Sequence, residues 1–158
     1  MKWDTTTSVL KSGFYFSAGV GLGGIEFDSY GYNISFSLTH KSHVFSSSVG
    51  HTFGIGGGSG KGDYSETSYV ALLFGEALRK KHGFLSISSG ISLSHLYFYC
   101  GSYCPETVDD GISIPVEAKV FVLAYKGLGI GLNVVTNFRP KYTPTIVTLA
   151  LVFGIWNK

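Results

Sequence analysis

Side chains able to do chemistry are few and scattered. Cys100 and Cys104 close the run Cys-Gly-Ser-Tyr-Cys, and there is no other cysteine. A structural zinc site needs four ligands, which two sulfurs without a second cluster do not supply. A redox motif is spaced Cys-x-x-Cys, one residue tighter. The pair reads as a small disulfide loop in an oxidising compartment, with two free thiols as the alternative. Ser94-His95 and His51-Thr52 set a hydroxyl beside an imidazole, the raw material of nucleophilic acyl transfer. Neighbours on a strand point to opposite faces, so Ser94 is expected inside and His95 outside, apart from one another. His40 and His43 are three residues apart; on a strand they too would face opposite ways, and a shared metal would need a bend. The glycine-rich stretch Gly54–Gly62 contains Gly-Ser-Gly-Lys-Gly, but Ile55 stands where a phosphate loop needs its first glycine and Gly62 where it needs a hydroxyl. Asn33-Ile34-Ser35 matches the glycosylation pattern but falls on a strand. No catalytic, metal or cofactor set emerges.

The elements that must position these groups follow from composition and period. Charged residues are 14% of the 158, against about 25% in a soluble domain. Aromatics reach 15% and glycines number 22, a mixture foreign to disorder, collagen and coiled coils. The net charge of +2 is too mild for a nucleic-acid partner, and Arg79-Lys80-Lys81 reads as a solvated turn. No apolar window is long enough for a transmembrane helix. Met1 to Thr7 lacks the apolar core of a signal peptide.

The dominant period is two. Strands are expected over Gly13–Gly23, Tyr30–Thr39, His43–Ile55, Ser68–Leu78, Gly83–Tyr97, Ile112–Tyr125, Gly127–Phe138 and Thr145–Trp156. Along the first, Phe14, Phe16, Ala18, Val20 and Leu22 alternate with Tyr15, Ser17, Gly19, Gly21 and Gly23, and most of the others repeat the scheme. Residues 68–78 are ambiguous. Val70, Leu72 and Phe74 share one face, but Tyr69 and Leu73 lie on the other, and a helix over Val70–Lys81 is an alternative. Pro115 suits the first residues of its strand.

Strands of about ten residues can cross a bilayer at a tilt. Connections near Lys41-Ser42, Arg79–His82 and Lys126-Gly127 are short, whereas Gly56–Thr67 and Phe98–Gly111 are long. That asymmetry is the pattern of transmembrane barrels. The second face decides between a membrane barrel and a soluble, lipocalin-like carrier. A soluble barrel needs charge on its outer wall, but here the non-apolar face is Ser, Gly, Thr and Asn. An apolar wall in lipid with a small polar lumen fits better, and closure pairs every strand. Aromatics gather at both strand ends, among them Tyr30, Tyr32 and Tyr97 at one and Phe14, Phe45 and Phe84 at the other, as interface girdles do. The expected fold is an all-β, eight-stranded antiparallel up-and-down barrel over residues 13–158, after a periplasmic segment over 1–12. Glu117 and Lys119 share a face and are expected to pair in the lumen, with Glu76 as a third member, as a plug in a narrow barrel rather than a polar relay.

The second half carries a resemblance. Gly111-Ile-Ser-Ile-Pro115-Val-Glu117-Ala-Lys119, Gly127-Leu-Gly-Ile-Gly-Leu-Asn133 and Thr148-Leu-Ala-Leu-Val-Phe-Gly154 resemble the closing hairpins of small outer-membrane barrels of Gram-negative bacteria, the OmpA/OmpX-like proteins. The resemblance implies a bacterial outer-membrane location and insertion by the barrel-assembly machinery. It also implies a monomer in contact with the lipid bilayer and lipopolysaccharide, without an open solute channel. Adhesins, evasion factors and lipid A-modifying enzymes share this fold, so the fold does not name an activity. The leading expectation is a structural or surface-interaction role, with loops 56–67 and 98–111 open to an extracellular ligand. A lipid A-modifying enzyme is the alternative, although the His-x-Ser-Asn run of the deacylases is absent.

Overall fold

The computed structural model describes residues 12–24, 29–55, 63–80, 83–100, 107–125, 127–140 and 142–156. Alternation of large apolar with small polar residues suits a strand whose two faces meet different surroundings. Eight strands result: β1 (Ser12–Gly24), β2 (Ser29–His40), β3 (His43–Ile55), β4 (Asp63–Lys80), β5 (Gly83–Cys100), β6 (Thr107–Tyr125), β7 (Leu128–Phe138) and β8 (Thr145–Trp156). Each pairs antiparallel with the next, and β8 closes on β1, with Phe16 opposite Phe153 and Val20 opposite Leu149. Among the described residues there is no helix. Turns are tight at one end, where Lys41 takes a left-handed φ of 55° and Gly127 one of 94°. Gly127 must be glycine for a second reason, since a Cβ there would lie 2.0 Å from the Gly154 carbonyl oxygen.

The wall is inverted relative to a soluble protein. Val20, Leu72, Leu93, Ile112 and Ile155 point outward with at least half of their surface open. Ser17, Asn33, Ser35, Ser48, Thr52, Ser88, Asn133 and Thr148 are buried in the lumen. An apolar wall of this extent is stable against lipid and not against water, which removes the soluble carrier. Phe84 departs from the expected girdle: Leu85 faces out, so Phe84 faces in and is buried.

Residues 70–80 do not form the alternative helix. Residues through Lys80 lie in β4, which pairs with β3 and β5. Both of its faces are apolar because Tyr69, Ala71 and Leu73 join a buried lumenal cluster while Val70, Leu72 and Phe74 face lipid. The middle strands also outrun their expected bounds. β4, β5 and β6 have 18, 18 and 19 residues, against 11 to 13 elsewhere. Residues 63–67, 98–100 and 107–111, read as loop, are strand because backbone pairing continues beyond the apolar belt. What remains of loops 56–67 and 98–111, residues 56–62 and 101–106, lies outside the described residues. Pro115 sits mid-strand rather than at the start of β6. The β5–β6 ladder skips it, running from Ser89–Val116 to Ser92–Ser113, and the Ser89 hydroxyl donates to its carbonyl at 2.9 Å.

Candidate functional site

Two polar constellations stand out, one inside the barrel and one on its wall. Inside, Glu117 and Lys119 alternate with the outward residues of β6 and so enter the lumen together. Lys119 Nζ lies 2.8 Å from Glu117 Oε2, and both side chains are fully buried. Lys119 Nζ also donates to Ser35 Oγ at 2.9 Å and stands 5.5 Å from the centroid of the Tyr15 ring. Asn133 Nδ2 donates to Glu117 Oε1 at 3.2 Å and to Asn33 Oδ1 at 2.6 Å. Asn33 in turn donates to Ser48 Oγ at 2.8 Å and to the Tyr69 hydroxyl at 2.6 Å. The network thus ties β6 and β7 to β2, β3 and β4 across the lumen. Below it, Tyr15, Phe84 and Phe121 pack with centroids 5.0 to 5.9 Å apart. At the opposite mouth, Arg139 Nη1 donates to the Asp109 carbonyl at 2.9 Å, and its Nη2 lies 3.2 Å from Asp109 Oδ2.

Glu76, the expected third lumenal member, is elsewhere. It faces outward with Val70, Leu72 and Phe74, and its Oε1 lies 3.0 Å from His43 Nδ1. The parity of β4 decides this, since Tyr69, Ala71 and Leu73 take the lumen. His40 and His43 also differ from expectation. The Lys41-Ser42 turn makes them direct cross-strand partners, so both are exposed on one face. His43 is turned to Glu76, whereas His40 Nδ1 lies 3.0 Å from Ser12 Oγ. Among the described residues no three His, Cys, Asp or Glu side chains gather as a metal site. Cys104 lies outside the described residues, as does the Cys100 side chain, and with them the proposed disulfide.

The second constellation lies on the outer wall, toward the end with the longer connections. His51, Ser68, His95 and Asp110 stand directly opposite one another across β3, β4, β5 and β6. His95 Nδ1 and Asp110 Oδ1 are in short contact. His51 Nδ1 lies 3.7 Å from Glu66 Oε1. One step along each strand on the same face runs a second row, Val49, Val70, Leu93 and Ile112, all exposed. A groove of about 390 Å³ spans the polar row and Val49, Val70 and Leu93. Ser94 points inward and makes no part of this site; its hydroxyl lies 3.1 Å from that of Ser113. Chain spacing concealed the row, because Ser68 and Asp110 meet His95 through strand register alone.

Neither a family model nor a curated protein sequence matches the chain. Solved structures do. Ail, the attachment invasion locus protein of Yersinia pestis, is 11% identical with a TM-score of 0.69, covering 92% of this chain and 99% of that one. The N-terminal β-barrel domain of Pseudomonas aeruginosa OprF is 8% identical with a TM-score of 0.63, covering 94% and 100%. The outer membrane enzyme PagL is 15% identical with a TM-score of 0.55, covering 88% and 98%. The chain is similar to them in fold: a closed eight-stranded barrel of the outer-membrane type.

Proposed function

From an outer-membrane barrel fold, we propose that this chain is an integral surface protein with a structural or interactive role and no open solute channel. Its termini and residues 1–12 lie on the periplasmic side, and the longer connections lie outside the cell. The observation that carries this reading is the filled lumen, with the Tyr15–Phe84–Phe121 cluster, the Glu117–Lys119 pair and Arg139–Asp109 stacked along the barrel. An eight-stranded barrel is just wide enough for side chains to fill. The strands of 18 and 19 residues add outer surface beyond the apolar belt, where an extracellular ligand can be met through residues 56–67 and 98–111. Ail, similar to this chain in fold, is an attachment invasion locus protein, which agrees with such a role. The wall takes the lipid bilayer and lipopolysaccharide as neighbours, the barrel-assembly machinery inserts it, and the protein is a monomer.

Refolding into detergent micelles tests the barrel, since a folded form should migrate differently on a gel from its boiled form. Proteoliposome swelling tests the lumen. Entry of small sugars faster than in protein-free vesicles would sink the sealed-lumen reading.

A second reading, a lipid A-modifying enzyme, has one specific observation behind it. The carboxylate-backed His95 lies beside Ser68 at the edge of the apolar belt, on a fold shared with the outer membrane enzyme PagL.

A further inference from the structure

We propose that Ser68, His95 and His51 form an ester-cleaving site on the outer wall, acting on an acyl ester of an outer-leaflet lipid. The proposal rests on the lipid-active reading above and names the atoms that would carry it.

Ser68 lies between the two histidines, with His51 opposite it on β3 and His95 opposite it on β5. Side chains directly opposite on one face have Cβ atoms about 5 Å apart, so both histidines flank Ser68 on the outer face. Each ring has a carboxylate at the same nitrogen: Asp110 at His95 Nδ1 and Glu66 at His51 Nδ1. The short Asp110 contact occupies His95 Nδ1, which orients that imidazole and leaves Nε2 to meet a substrate, whereas Glu66 stands 3.7 Å from His51 Nδ1 as a looser ion-pair partner. The depth is right for a lipid ester. Val49, Val70, Leu93 and Ile112 lie immediately on the membrane side of the polar row. Acyl chains lying along that apolar row would place their ester linkage, at the junction of chain and headgroup, beside Ser68.

In the first step Ser68 Oγ attacks the ester carbonyl carbon while its proton passes to His95 Nε2. The carbonyl oxygen gains negative charge and faces the His51 ring, which serves as its hydrogen-bond donor. The bond to the alcohol oxygen breaks, and His95 returns the proton to that oxygen. Water then attacks the acyl-Ser68 carbonyl with His95 as base, releasing a carboxylic acid and restoring the hydroxyl. Ester and water become acid and alcohol, with no redox partner. Asp110 and Glu66 are positioning residues.

The test uses protein refolded in micelles, each variant first shown to be folded by its gel shift. A fluorophosphonate probe should label the wild type, and Ser68→Ala should abolish labelling. His95→Asn should slow it roughly 100-fold, the usual scale for losing a general base. Asp110→Asn should slow it and Asp110→Glu should restore much of the rate, a rescue that a merely structural role would not give. His43→Asn, near the opposite end of the wall, should leave it unchanged. Acyl release is then measured from phosphatidylethanolamine/phosphatidylglycerol vesicles and, separately, from purified lipid A. Release from either that disappears in Ser68→Ala supports the proposal and identifies the lipid. A folded wild type that takes no probe, or a Ser68→Ala variant that labels normally, overturns it. Release that persists in Ser68→Ala overturns the site but leaves the lipid-active reading standing. Labelling at Ser68 without release from either lipid overturns both.

Discussion

Lys119 and Glu117 meet in the lumen at 2.8 Å with no surface open to solvent. Two residues apart on one strand, they point the same way into a space where neither charge could stay alone. Lys119 also donates to Ser35 at 2.9 Å and to Ser37 at 3.4 Å, and Asn133 donates to Glu117.

Removing one ion should therefore harm the barrel more than removing both. Lys119→Met leaves Glu117 unpaired and should cost about 3–5 kcal/mol, the scale for breaking a buried pair. Glu117→Gln with Lys119→Met should recover much of that loss. Thermal unfolding in micelles, followed by the gel shift, measures both, and an unchanged midpoint in Lys119→Met would contradict the pair.

Gly50 lies under the Tyr69 ring, where a Cβ would come within 2.3 Å of Tyr69 Cε1. Gly50→Val should destabilise by about 1–3 kcal/mol through overpacking. The same change made on a Tyr69→Ala background should cost clearly less, because the obstructing ring is gone. Additive unfolding energies would deny the contact.

The outer wall distinguishes lipid from water. Leu72 projects from mid-wall with 64% of its surface open. Leu72→Arg should cost about 2–4 kcal/mol in a bilayer, as charge does on the lipid face of a barrel. Denaturant titration in vesicles checks this, and a change within experimental error would mean that Leu72 meets water.

Residues Thr107 to Ser113 of β6 pair with β5 but not with β7, whose ladder begins at Ile114–Phe138. Arg139 bridges that gap through the Asp109 carbonyl and carboxylate. Arg139→Gln should speed amide exchange across this stretch while the gel shift persists. Exchange rates unaltered there would show that the arginine does not hold the strand.

Much of this structure was legible in the sequence, and physics explains where it was not. Where one face meets lipid and the other a narrow lumen, as along Phe14–Leu22, the period of two declares itself. In β4 the lumen also takes large apolar groups, Tyr69 and Leu73, so the alternation blurs, and Glu76 was expected on the wrong side. Beyond the belt the wall meets water on both faces, so nothing in residues 63–67 or 107–111 marked them as strand. The expected juxtaposition of Glu117 and Lys119 depended on spacing along one strand and could be read. The Ser68–His95–Asp110 row depends on register between three strands, which no spacing along the chain encodes.

The lumenal network also bears on how the chain reaches its final form. Lys119 meets Ser35 across 84 residues of sequence, and Asn133 meets Asn33 across 100. Neither contact can exist while the early and late hairpins are separate, so the buried charges find their partners only as the cylinder shuts. Contacts of such long sequence separation form slowly. The halves of this chain should therefore mature together, with the polar interior acting as a latch set by the final step of assembly.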